Sequence, residues 1–90
     1  IVLKKEIKHE NMVNIKLKFN KNVAFRVYDE FKEAIIEDEK GNLYVETKIP
    51  NNYKLYNYIF SFGSNIEILG PKEIKNQFKN MINEIAKKYI

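Results

Sequence analysis

The side chains able to do chemistry are few and scattered. The chain has one histidine, His9, no cysteine, and two serines, Ser61 and Ser64. Neither serine has a base at the spacing an activated nucleophile needs. A lone imidazole without thiolate companions cannot build a metal centre, and His9 reads as a solvated tail residue. Acids crowd together at Asp29, Glu30, Glu33, Glu37, Asp38 and Glu39. They lack the alternating ligand spacing and the turn glycine of a cation-binding loop. Gly63-Ser64-Asn65 is too short to cradle a phosphate and is explained by helix capping. The sequence therefore predicts a protein that is not an enzyme and that uses no cofactor and no metal.

Binding chemistry has more material. Lys16, Lys18, Arg26, Tyr44 and Lys48 are the candidate contacts for a nucleic acid or a small ligand. Single-strand binders stack bases on several aromatics of a sheet, and here only Tyr44 offers a ring among the lysines. Arg26 is the only arginine, and lysine lacks the planar fork that recognises phosphates and guanines in pairs. The competing reading of Lys16, Lys18 and Lys48 is a solvated sheet face. Tyr53, Tyr56, Tyr58, Phe60 and Phe62 raise a second possibility, an aromatic-lined ligand pocket, against the commoner use of such rings as core.

These residues sit in a single small domain of 90 residues, 44% hydrophobic and 31% charged, a composition that argues against disorder. No apolar run reaches the length of a membrane span. The opening Ile1-Val2-Leu3 reads as a fragment of a longer polypeptide, and the absence of cysteine fits a cytoplasmic setting. The net charge of +4 is divided: +4 over residues 1–22, −3 over 23–70 and +3 over 71–90. Such polarity suggests electrostatic matching with a partner or a second copy.

Residues 1–11 read as a Lys-rich tail or upstream linker, and residues 12–90 as one domain. From Met12 to Phe19 apolar and polar residues alternate, with Val13, Ile15, Leu17 and Phe19 on one side, the pattern of a half-buried strand. Asn20 or Asn22 caps a helix whose buried stripe is Val23, Ala24, Val27, Tyr28 and Phe31, with Arg26, Asp29 and Glu30 opposite. Residues 34–38 and 43–49 read as a hairpin turned at Gly41, with Leu43, Val45, Thr47 and Ile49 sharing a face. Pro50 stops the strand and Asn51-Asn52 caps a helix over 53–62, ended by Gly63. Ile66 and Ile68 mark a short strand, and Pro71 occupies the first position of a last helix.

The order β-α-β-β-α-β-α predicts an α+β, ferredoxin-like split βαβ fold: a four-stranded antiparallel sheet with an extra C-terminal helix. Right-handed crossovers put both crossover helices on one face, with the first and third strands central. The last helix carries Ile74, Phe78, Met81, Ile82, Ile85 and Tyr89 on one stripe. The far sheet face, with Asn14, Lys16, Lys18, Tyr44, Glu46 and Lys48, is too polar to receive it. The stripe is expected beside its sister helices, across a sheet edge, or in a partner subunit. Ile74, Phe78, Ile82, Ile85 and Tyr89 are the candidate interface.

Several segments also carry a family pattern. Phe19 followed by Val23-Ala24-Phe25-Arg26-Val27-Tyr28, then Gly41-Asn42-Leu43-Tyr44-Val45, then Tyr58-Ile59-Phe60-Ser61-Phe62-Gly63 with Ile66-Glu67-Ile68-Leu69 and Pro71, resembles the C-terminal extension (WCX) of bacterial WYL-domain transcriptional regulators. The match spans about residues 12–89, and its motifs are mostly structural residues. The resemblance implies a parent with an N-terminal helix-turn-helix domain that binds DNA, then a WYL domain, then this module. It implies a role in dimerisation or in modulating an effector response, with a homodimer through this module and DNA held by the parent instead of by this domain. The WYL motif and its ligand-binding residues lie outside this sequence, so none is carried over.

Overall fold

The computed structural model describes residues 12–90; the tail reading of residues 1–11, including His9, lies outside the described residues. Its strands are β1 (Met12–Phe19), β2 (Ile35–Glu37), β3 (Leu43–Pro50) and β4 (Ile66–Gly70). Its helices are α1 (Ala24–Glu30), α2 (Tyr53–Phe60) and α3 (Lys72–Lys87). The strands form one antiparallel sheet in the order β2-β3-β1-β4. That is the expected α+β arrangement, with the two longest strands central.

Alternation makes the sheet two-faced. Ile15, Leu17 and Phe19 of β1 and Leu43 of β3 are fully buried, and Val45 and Thr47 of β3 and Ile68 of β4 are buried beside them. They meet Val27 and Phe31 from the α1 segment and Leu55, Ile59 and Phe62 from the α2 segment. Phe19 is the hub, with its ring 5.5 Å from Phe31 and edge-on to Phe62 at 5.0 Å. Such aromatic contacts add to the area they bury. Thr47, the polar member of the inner face, is satisfied by donating its hydroxyl to Glu33 at 2.6 Å.

Local chemistry sets the ends of these elements. Asn20 accepts from the Asn22 amide and opens a 3₁₀ turn at Lys21–Val23 that leads into α1. Asn52 caps α2 by accepting from the Lys54 amide. Gly63 takes φ +60° after α2, a left-handed conformation that disfavours side chains. Gly41 takes φ +89° in the hairpin turn.

Three expectations need correction. Tyr28 was expected in the buried stripe of α1, but it is about half exposed and donates its hydroxyl to Glu37. This short helix closes its inner surface with Val27 and Phe31, so Tyr28 is turned toward the β2 edge. Pro71 caps α3 in an extended conformation instead of standing in its first turn; the helix starts at Lys72. α2 ends two residues early, at Phe60, because Ser61 and Phe62 form the turn that delivers Phe62 to the core.

α3 packs within the subunit through its first half, beside α2 and along the β4 edge. Ile74 is 2% exposed and Phe78 is half-buried. Phe78 stacks on Tyr56 at 6.1 Å and meets Phe60 at 4.9 Å. The Tyr56 hydroxyl donates to Gln77. Beyond Met81 the stripe leaves the core.

Candidate functional surfaces

Lys16, Lys18, Tyr44 and Lys48 all lie on the sheet face opposite the core, which no helix among the described residues covers. β1 and β3 pair antiparallel so that Lys16 faces Glu46, Lys18 faces Tyr44 and Asn14 faces Lys48. Cross-strand neighbours of this kind interact directly. The Asn14 amide donates to Glu46, and the Lys18 ammonium stands 6.0 Å over the Tyr44 ring. Asn14, Lys16, Tyr44 and Glu46, together with Ile36 of β2 and Leu69 of β4, line a shallow depression of about 600 Å³, which Lys18 and Lys48 do not join. Sequence reading overlooked the apolar contributors. Ile36 is 67% exposed, and Leu69 is brought to this face beside the pairing irregularity between β1 and β4.

The Tyr44 hydroxyl is already engaged. It donates to Asp38 at 2.9 Å, and Asp38 also accepts from the Lys40 and Asn42 amides and the Asn42 side chain. The bond to Asp38, then desolvation, raise the Tyr44 phenol above its ordinary value. Desolvation pushes the Asp38 carboxyl up, but the donors around it outweigh that effect and hold it below the usual range. Asp38 therefore organises the hairpin turn. The Asp-x-x-Gly-Asn spacing was its signal in the sequence.

Arg26 does not join the lysines; it lies on the opposite side of the sheet. Its guanidinium sits 3.7 Å above the Phe62 ring and 5.7 Å from Tyr58. It donates to the Ser61 carbonyl at 3.2 Å, to the Ser61 hydroxyl at 2.8 Å and to Glu30 at 2.6 Å. Glu30 also accepts from the Tyr58 hydroxyl. That bond leads the causes that lower the Glu30 carboxyl, while burial and then the same bond push the Tyr58 phenol strongly upward. The network ties α1 to the turn after α2. Of the five rings that could line a pocket, Tyr56 and Phe62 are buried, Tyr58 packs on Phe31 and Phe62, and Phe60 packs on Phe78, while the Tyr53 side chain lies outside what the structure describes.

The candidate interface divides along α3. Ile74 and Phe78 serve the subunit's own core, whereas Ile82, Ile85 and Tyr89 lie on the exposed continuation of the stripe, Tyr89 at 86%. Beside it a mostly apolar groove of about 330 Å³ runs between α3 and β4, lined by Ile66, Ile68, Phe78 and Ile82, with Lys75, Lys79 and Glu67 as its charged members. On α1, Phe25 is 81% exposed, an exposed aromatic that sequence reading did not single out. Its position off the Val23–Val27 stripe was the available signal.

Among the described residues, no helix is long and apolar enough to cross a membrane. A family model described as the WCX domain matches residues 11–86. No curated protein matches the chain.

Proposed function

Because the chain belongs to the WCX domain family, we propose that it is the C-terminal regulatory and dimerisation module of a cytoplasmic, helix-turn-helix transcriptional regulator of the WYL type. In this reading the module holds two copies of the parent together and tunes how the parent binds DNA when an effector arrives. The parent's other domains supply the DNA contacts. The observation that carries the reading is the family match over nearly the whole chain, joined to a last helix that commits only its first half to the core.

Removing the segment 12–90 from the parent tests it. The expected result is loss of dimer in sedimentation and weaker, less salt-stable binding to the operator, because two linked DNA-binding heads raise each other's effective concentration. A parent that stays dimeric and binds DNA unchanged without the segment would refute the reading.

A second reading has one observation in its favour: the open-face depression brings Lys16, Tyr44, Ile36 and Leu69 together. It would make the uncovered sheet a nucleic-acid or small-molecule sensor. Titration of labelled single strands at low salt, with Lys16→Glu/Lys18→Glu as control, checks it. Equal weak affinity in the mutant removes the sheet as a binding surface.

A further inference from the structure

The dimerisation reading leaves open which surfaces meet, and here the inference rests on that reading. Two features of the molecule complement each other in shape and in charge. One is a projection: Phe25 stands almost free on α1, with Asp29 one helical turn along the same side. The acids Glu30, Glu33, Glu37, Asp38 and Glu39 follow in the same part of the chain. The other is a recess: the apolar groove between α3 and β4, where Lys75 and Lys79 of α3 outnumber the single acid, Glu67 of β4. Every copy carries both features, and the opposition of Asp29 to Lys75 and Lys79 makes a second copy of the chain the groove's natural occupant.

We propose that Phe25 of one copy inserts into the α3–β4 groove of a second, with Asp29 facing Lys75 and Lys79, and that the contact is made reciprocally so that the pair closes. Ile82 forms part of the groove floor, and Ile85 extends the covered surface along α3. Apolar insertion supplies affinity, since an aromatic anchor in a desolvated pocket is the usual centre of a hot spot. The opposed charges select the pairing and discourage α3 from meeting its own copy, where lysines would face lysines.

The experiment is sedimentation equilibrium on the 90-residue chain and three variants, with thermal unfolding to confirm that each is folded. Phe25→Ala removes a nearly free side chain and is expected to leave the melting temperature of the monomer unchanged. It should weaken self-association at least ~30-fold. Asp29→Lys alone and Lys75→Glu/Lys79→Glu alone should each weaken it roughly tenfold. An equimolar mixture of the two charge variants should recover wild-type association, because each contact in the mixed pair again opposes unlike charges.

Failure is informative in each direction. A wild-type chain that is monomeric at millimolar concentration, and likewise within its parent, ends the dimer reading itself. A dimer that ignores Phe25 and Asp29 keeps that reading and overturns this interface. Tighter association of the Lys75→Glu/Lys79→Glu variant would identify α3 pairing with α3, and would also overturn it.

Discussion

Replacing Arg26 by alanine should destabilise the domain by about 2–3 kcal/mol, and the figure can be assembled from its contacts. The guanidinium lies 3.7 Å over Phe62 with Tyr58 nearby, a cation–π contact that contributes about 0.5–1 kcal/mol at a partly exposed site. Its two hydrogen bonds to Ser61 carry a charged donor and together add about 1.5 kcal/mol once solvent competition is allowed for. The ion pair with Glu30, four residues along the helix and about one-third exposed, adds about 0.3–0.5 kcal/mol. A domain of this size has only about 5–13 kcal/mol of stability, so the loss is a large share of the whole. Urea unfolding should show it as a lower midpoint with unchanged slope, and thermal unfolding as a fall of roughly 10–20 °C. Arg26→Lys should recover less than half, because an ammonium cannot lie flat on Phe62 and reach both Ser61 acceptors. A double-mutant cycle with Ser61→Ala should give a positive coupling of about 0.5–1 kcal/mol. A loss below about 0.5 kcal/mol for Arg26→Ala would refute the argument that this residue is a clamp between α1 and the turn after α2.

Other consequences follow from the two-faced sheet and its titrating groups. Leu17→Ala, at a fully buried position, should lose about 2–5 kcal/mol in urea unfolding, whereas Lys16→Ala on the open face should change it by under about 0.5 kcal/mol. Equal losses would mean that the sheet has no dry side. Stability should also fall at both ends of the pH scale. Glu30, Glu33 and Asp38 are held below their ordinary values, led respectively by the bond from Tyr58, the bond from Thr47, and turn donors that overcome desolvation. Their contribution is present above the unfolded values near 4 and is lost as pH falls through the folded ones. The phenols of Tyr44, Tyr56 and Tyr58 are raised, so theirs is present below about pH 10 and is lost as pH climbs beyond it. Urea midpoints measured from pH 3 to 12 should fall at each end, and Tyr58→Phe should flatten the alkaline limb. An alkaline limb identical to wild type would contradict the placement of Tyr58 against Glu30.

How far the residues announce this structure depends on which forces act locally. β1 alternates over its whole length, so its pairing and its inner face could be read from period alone. Asn52 and Gly63 act on neighbours within a few residues, and their roles were equally plain. Tyr28 was misread because a seven-residue helix needs fewer inward positions than a long one, and its phenol found Glu37 across the chain. Arg26 seemed to belong to the wet side because charge alone was weighed. Its long stem instead lets the guanidinium lie over aromatic rings that only tertiary folding brings near. The docking of α3 depends on Tyr56 and Phe60, flank residues of α2 whose availability no local pattern reveals. The open-face patch has the same origin, since Ile36 and Leu69 come from strands at opposite edges of the sheet.

The account stands most directly on the exposed half of α3. Sedimentation equilibrium should compare the wild-type chain with Ile82→Asp/Ile85→Asp, which places two carboxylates on side chains that are 42% and 43% exposed and so spares the core. The prediction is a dimer for the wild type and a folded monomer, of nearly unchanged melting temperature, for the variant. A variant that associates as strongly as the wild type would contradict it.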